Sequence, residues 1–283
     1  MKLRTGYLIS GIFTGIIILF SFIWTQPDGK LRIVFCDVGQ GDAAYVLFPD
    51  GRDMVVDGGP NDKIIDCLGR HMPFWDRHID IVLMTHPQKD HMQGLISVFA
   101  RYDVDYFVRS NVENSTEGFQ KLTEVVQRNN IPQKFMSQGQ TIGIDNTSLS
   151  FVWPSENILG ASTVGDLNDY SLVFVLRYGN FDVLFTGDAD TRVEKHYAGS
   201  MLADDQIEVL KVPHHGSRTG MSQSFIDSVR PRLSVISVGK NGYGHPTKEI
   251  IAMLENIGSR ILRTDKAGDI TVISDGKNWV VDD

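Results

Sequence analysis

The sequence predicts a layered α/β protein: an αββα sandwich, two sheets packed together with helices outside. Two β-rich halves, each giving way to helical stretches, are the first observation behind this reading. The second is a composition of 42% hydrophobic and 22% charged residues over 283 residues, which supports a sizeable core and excludes wholesale disorder. The third is 27 glycines, which favour many tight turns. A single open doubly wound sheet is the alternative.

The elements follow in chain order. Lys2 and Arg4 precede an uncharged apolar run, Tyr7 to Trp24, close to the minimum length that spans a bilayer. Trp24 suits an interface, and Gln26-Pro27-Asp28-Gly29 ends the helix. Residues 1–29 therefore read as one N-terminal transmembrane anchor with a short linker, and residues 30–283 as the folded domain. A cleaved signal peptide is the rival, but no small-x-small site follows the run, and no cysteine that would carry a lipid. Lys2 and Arg4 would stay inside, which places the domain outside, membrane-anchored or, after cleavage, secreted. Leu31–Cys36, Ala43–Phe48 and Met54–Val56 read as strands, with a Pro49-Asp50-Gly51 hairpin turn. Asn61–His71 reads as a helix and Ile79–Met84 as an apolar strand, with helix, strand and helix through Asn130. Thr141–Trp153, Ser171–Tyr178 and Phe181–Phe185 form the second β-rich stretch. Further units cover Ile207–Lys211, Ser222–Val229, Leu233–Val238 and Thr247–Ile257. The tail Val280–Asp283 carries no signal. Phe74-Trp75 reads as a packed loop, and Arg101, Arg109 and Lys121 as solvated faces.

Two cysteines exclude a disulfide scaffold and a zinc ribbon. Cys36 and Cys67 either pair or stay as buried thiols. A net charge of −8 argues against a broad basic nucleic-acid face, so a polyanionic substrate would need metal ions or a local basic patch.

The chemistry gathers where strands end. The strand Ile81–Met84 runs into Thr85-His86-Pro87-Gln88-Lys89-Asp90-His91, a set of donors suited to a divalent metal. Phe185-Thr186-Gly187-Asp188 ends another strand in an acid. Val209–Val212 leads to Pro213-His214-His215-Gly216-Ser217, where one histidine would bind metal and the other support it or move a proton. Asn241-Gly242-Tyr243-Gly244-His245-Pro246 is a glycine-rich loop suited to holding a phosphate or an oxyanion. Four such strand ends point to one shared metal site.

Asp37-Val38-Gly39-Gln40-Gly41-Asp42, Val56-Asp57-Gly58-Gly59, His86 to His91, Thr186-Gly187-Asp188, Lys211 to Ser217 and Gly244-His245-Pro246 occur in that order. From about Leu31 onward the chain resembles the metallo-β-lactamase-fold domain of the ComEC competence (DNA-uptake) proteins, in a stand-alone form. The resemblance implies a four-layer αββα fold with metals at one edge between the sheets. It implies His86, Asp90, His91, Asp188 and His215 as ligands, with Asp188 bridging and His214 beside the second site. Asp57 would orient the ligand loop, with Asp37 and Asp42 as further structural acids, and His245 would sit over the substrate phosphate. One or two divalent ions, Zn²⁺ or Mn²⁺, would be the cofactors, with no organic cofactor. Two positions depart from the pattern. Gln88 stands where a ligand is usual, and Asn168 where a histidine is expected, leaving one strong metal site and one weak one.

The expected function is a metal-dependent phosphodiesterase or nuclease acting on DNA by attack of a metal-bound hydroxide. Asp90 would orient water, and His214 or His245 would give a proton to the leaving oxygen. Lys89, Asn168, Ser217, Arg218, Tyr243 and His245 would contact substrate. A separate membrane DNA-channel protein is the expected partner. A hydrolase of a cell-wall phosphodiester or small ester is one rival. A non-catalytic binding protein with a decayed site is the other.

Overall fold

Successive residues of the strand Leu31–Phe35 point opposite ways, and all but the half-buried Arg32 are buried. Leu31, Ile33 and Phe35 enter a core between two sheets. Val34 and the following Cys36 enter a second core beneath helices. A strand covered on both faces has no polar alternation to show, which is why these strands read as continuous apolar runs.

In the computed structural model the described residues are Tyr7, 9–16, 27–159, 165–198 and 207–282. The first sheet holds β1 (Leu31–Phe35), β2 (Ala44–Leu47), β3 (Asp53–Val56), β4 (His78–Met84), β5 (Asp103–Arg109) and β6 (Gln133–Phe135). The second holds β7 (Thr141–Ile144), β8 (Thr147–Trp153), β9 (Val173–Tyr178), β10 (Phe181–Phe185), β11 (Val209–Lys211), β12 (Leu233–Ile236) and β13 (Arg260–Arg263). The chain then returns to the first sheet as β14 (Ile270–Ser274) and β15 (Trp279–Asp282), giving the order β15-β14-β1-β2-β3-β4-β5-β6. The second sheet runs β13-β12-β11-β10-β9-β8-β7. Phe35 of the first sheet stacks on Phe185 of the second at 5.8 Å, and Phe185 on Phe174 at 4.9 Å. Helices cover both outer faces. The sandwich is the predicted one, and the single open sheet is excluded.

Local chemistry explains the helices. The helix Lys63–His71 buries Ile64, Cys67 and Leu68, positions i, i+3 and i+4. Cys67 thereby meets Cys36 in a disulfide with Cα atoms 5.9 Å apart, which decides between the two readings of the cysteines. The helix Glu117–Arg128 starts at Thr116, whose side chain accepts the Phe119 N–H, and buries Phe119, Leu122 and Val126.

Three expectations need correction. The tail forms β15, an edge strand with alternate residues exposed, too short to leave a pattern in sequence. Phe74 and Trp75 do not pack into the protein. They are 78% and 47% exposed and meet only edge-on, 4.7 Å apart, in a loop before β4. Arg109 is buried rather than solvated, because its guanidinium lies over Phe135 at 4.8 Å and donates to the Val112 carbonyl. Half of the predicted span Tyr7–Trp24, residues 8 and 17–24, lies outside the described residues. Among the described residues no helix is long and apolar enough to cross a membrane.

A buried acid gives a pH signature. Asp53 opens β3, accepting the Asp80 N–H on Oδ1 and the Tyr45 hydroxyl on Oδ2. Burial, with Asp80 and Asp76 nearby, pushes its carboxyl up to about 7. The folded value exceeds the unfolded one, so this contribution to stability is complete below about pH 4 and is lost as pH rises through 7. Asp53→Asn keeps the acceptor for Asp80 and offers Tyr45 a donor. Thermal unfolding should show no gain at pH 4 and about 1–3 kcal/mol of gain at pH 8. A variant less stable than the parent at pH 8 would remove this account.

Candidate metal centre

The C-terminal ends of β3 and β4 in one sheet face those of β10, β11 and β12 in the other, and the site fills that crevice. Asp57 follows β3, and His86, Asp90 and His91 follow β4. Asp188 follows β10, and His214 and His215 follow β11. His214 and His215 both adopt left-handed backbone, φ 49° and 54°, which turns the two rings in different directions. Gly41, in the loop after β1, lies so close to Asp90 that a Cβ there would overlap the Asp90 carbonyl oxygen. This contact accounts for a glycine before Asp42.

Hydrogen bonds fix which histidine nitrogens are bare. The Thr85 hydroxyl donates to Asp57 Oδ2 at 2.7 Å, so it can only accept from His86 Nδ1 at 3.1 Å. His91 Nδ1 donates to Asp57 Oδ2 at 2.9 Å. His215 Nδ1 has the Ser237 carbonyl at 2.9 Å and Asp42 Oδ1 at 3.2 Å. The carbonyl takes the bond and Asp42 supplies charge, since Asp42 Oδ1 has no well-formed hydrogen bond. In His86, His91 and His215 the Nδ1 is thus engaged outward, which leaves Nε2 facing inward as the atom that can offer a lone pair to a metal. Those nitrogens face carboxylates. His91 Nε2 is 3.2 Å from Asp188 Oδ1, and His215 Nε2 is 3.3 Å from Asp90 Oδ2 and 3.5 Å from Asp188 Oδ2. His86 Nε2, His91 Nε2 and Asp188 Oδ1 are buried without a hydrogen-bond partner. An acceptor facing an acceptor in a dry site requires a cation between them.

Ligand atoms of Asp90, His91, Asp188 and His215 all lie within 4.8 Å of one another, a four-donor set of nitrogen and oxygen that fits a divalent metal. His86 stands beside this set, its ring 4.1 Å from that of His91. Burial, then the His91 charge, pushes His86 down to about 3, keeping it neutral and able to ligate. Burial works against a charge on His215, but Asp188 and Asp42 overcome it and hold it up at about 10. His91 is raised in the same way by Asp188 and Asp57. Without metal, protons therefore occupy the inward faces of His91 and His215. Metal binding at pH 7 should release about one to two protons. Calorimetry in buffers of different ionisation enthalpy checks this, and buffer-independent heats would refute it.

The other predicted residues divide. Gln88 does not enter the ligand cluster. Its amide donates to Asp166 Oδ1 at 3.4 Å, and Asp166 is held by Arg192 at 2.9 Å. Asn168 is buried with its amide 3.5 Å from His214 Nε2. Lys89, Asp90, His214, His215, Tyr243 and His245 line one cleft of about 440 Å³. Ser217 and Arg218 are not brought into it: the Ser217 hydroxyl faces Thr219 within its own loop, and Arg218 points to solvent. Asp37 lies away from the metal ligands, accepting the Gly39 N–H, while its own N–H meets Asp269. Asp42 and Asp57 sit directly behind the ligands.

Sequence reading missed Thr85, Ser237 and Lys211. Lys211 was visible as one cation inside an apolar strand. It is buried with Nζ 2.6 Å from Asp42 Oδ2. Thr85 and Ser237 left no signal, because they act through a hydroxyl and a backbone carbonyl.

Comparison with known proteins agrees with this architecture. The chain is 25% identical over 275 residues to ComE operon protein 3 of Bacillus subtilis, covering 91% of this chain and 34% of that protein. It is 24% identical over 241 residues to Recombination protein 2 of Haemophilus influenzae, covering 83% and 28%. The chain thus spans about a third of the length of these relatives. The structure of the metallo-beta-lactamase fold protein YhfI from Bacillus subtilis superposes with a TM-score of 0.59 at 9% identity, over 87% of this chain and all of that one. Residues 37–240, more than half of the chain, match the metallo-beta-lactamase superfamily. The chain belongs to that superfamily, and its metallo-beta-lactamase fold is ComEC-like, related to the competence proteins that it matches.

Proposed function

We propose that this protein is a metal-dependent phosphodiesterase of the extracytoplasmic space that acts on DNA. The observation that carries the reading is the set of bare Nε2 atoms and carboxylates meeting at the floor of a polar cleft. A divalent ion, Zn²⁺ or Mn²⁺, would be held by Asp90, His91, Asp188 and His215, and a second, weaker one by His86 and Asp188. Such ions acidify water and offset the charge of a phosphoryl transition state. Asp90, whose carboxyl His215 and the His91 charge hold down at about 2 against burial, stays ionised and can orient the attacking water. Burial, then His214 and His215, lowers His245, so it meets substrate as a neutral N–H donor. A neutral imidazole can hydrogen-bond the substrate but not act as general acid, so His214 rather than His245 would give the proton to the leaving oxygen. Lys89, exposed at the cleft, would hold a phosphate.

Two features support the placement. The Cys36–Cys67 disulfide suits an oxidising compartment. Residues 27–30 join the domain where β1 begins, the end opposite the metal ligands, and Pro27 packs on Gly51 there. The exposed Phe74 and Trp75 precede β4, which runs parallel to β3 and β1, so they stand at this same end. A membrane at that end, reached by an N-terminal anchor, would leave the cleft facing away from it. The proposed partner is a separate membrane channel protein.

The deciding experiment loads the full chain with Mn²⁺ or Zn²⁺ and assays linear DNA and bis-p-nitrophenyl phosphate beside His91→Ala. Cleavage lost in the variant supports the reading. Cleavage of the small diester alone moves the substrate to a cell-wall phosphodiester or small ester. Metal-independent cleavage, or none, removes the reading.

Gln88, which lines the cleft but stands outside the ligand cluster, favours one second reading, a binding protein with a weakened site. Gln88→His should raise metal content and hydrolysis several-fold if the site is weakened. Gln88→Asp should do less, because its carboxylate would lie beside Asp166. Equal activity of all three would show that the site does not need a ligand at residue 88.

A further inference from the structure

The loop Asn241–Pro246 reads in sequence as one suited to holding a phosphate or an oxyanion. Three of its amides are already engaged. Asn241 Oδ1 accepts the N–H groups of Tyr243, Gly244 and His245 at 3.1, 3.0 and 3.1 Å. Asn241 Nδ2 donates to the Gly239 and His245 carbonyls, both at 2.9 Å. The loop closes around one amide side chain and presents rings instead. Tyr243 is 78% exposed, and its ring tilts 31° to that of His245 with centroids 5.7 Å apart. His245 meets His214 edge-on at 5.8 Å. Tyr243, His245, Lys89 and Asp90 share one cleft.

An aromatic ring held out by five internal hydrogen bonds does nothing for the core. Beside a lysine and a metal centre, it completes a pattern of cation, reactive centre and π-face that matches a nucleotide: phosphate on one side, base on the other. We propose that Tyr243 is the platform on which the nucleobase adjoining the scissile phosphate stacks. The inference rests on the phosphodiesterase reading and narrows it. Within a duplex both faces of a base are covered by its neighbours. A base lying on Tyr243 must therefore be unstacked on one face, so the site takes single strands or duplex ends. Tyr243 is a specificity-determining residue, acting through affinity for the base.

The test uses the full chain with Mn²⁺ and oligonucleotides carrying one cleavable phosphodiester, flanked either by thymidine or by an abasic tetrahydrofuran unit. The parent should prefer the thymidine substrate about tenfold in kcat/KM. Tyr243→Ala should bring the two substrates to parity, and Tyr243→Phe should keep the preference, since only the ring is needed. A second readout needs no turnover: a single strand with 2-aminopurine at that position, its other linkages methylphosphonates, should be quenched by the parent and the Phe variant but not by the Ala variant. Equal cleavage of thymidine and abasic substrates by the parent overturns the platform and leaves the phosphodiesterase. No cleavage with quenching lost only in Tyr243→Ala overturns the phosphodiesterase and supports the platform. Neither cleavage nor quenching overturns both, and a preference for intact duplex overturns the platform.

Discussion

Asp188→Asn should empty the metal centre and lower hydrolysis by about a thousandfold or more. The effect is this large because both oxygens of Asp188 are committed. One faces His91 Nε2 at 3.2 Å, and the other faces His215 Nε2 at 3.5 Å and His214 Nε2 at 3.8 Å. Burial alone would favour the neutral acid, but the charges of His91 and His215 hold Asp188 well below the usual carboxylate range. An amide of the same shape removes the charge that the metal needs and offers an N–H to one of the histidines. Metal analysis of the purified protein, with bis-p-nitrophenyl phosphate turnover, measures both consequences. The geometry also sets a rank order. His91→Ala and His215→Ala each remove one of four close ligands. His86→Ala removes a neighbour of that cluster and should leave most of the metal in place. If His86→Ala lost as much metal as Asp188→Asn, the division into a strong and a weak position would be wrong.

Much of this was legible in the residues, for reasons that can be named. Strands buried on both faces show as apolar runs, and a run ending in His, Asp or Gly-Asp marks a strand end turned toward a site. Ile81–His91 and Val183–Asp188 were clear on both counts. Relations across the sandwich were not legible. Nothing near Gln88 in sequence reveals that its amide meets Asp166, 78 residues away. The Asn241 loop reads as a phosphate cradle from its glycines, yet one side-chain oxygen takes up three of its amides. Arg109 reads as a solvated charge because its cover, Phe119 and Phe135, comes from separate elements. In each case the missing information is a partner from elsewhere in the chain.

Lys211→Met should destabilise the fold by about 3–5 kcal/mol, since it strands a buried anion. Lys211 is 3% exposed, its Nζ 2.6 Å from Asp42 Oδ2 and 2.8 Å from the Val212 carbonyl. Asp42 is buried as well and stands behind two ligand histidines, 3.2 Å from His215 Nδ1 and 3.9 Å from His91 Nδ1. Burial favours its neutral form, but Lys211, then His215, holds it ionised. Without the lysine, that carboxylate either keeps an uncompensated charge or takes up a proton. Chemical denaturation should therefore show the loss shrinking as pH falls toward 4, where Asp42 can protonate. The double variant Lys211→Met/Asp42→Asn should recover most of the stability, because both charges leave together. It should not recover metal affinity to the same extent. Asp42 also supplies negative charge behind His215, raising the basicity of the nitrogen that faces the metal. A double variant as unstable as Lys211→Met alone would show that the lysine serves packing through its methylenes. A stable double variant that binds metal weakly would show that the buried pair sets the electrostatics of the ligands and contributes little net stability.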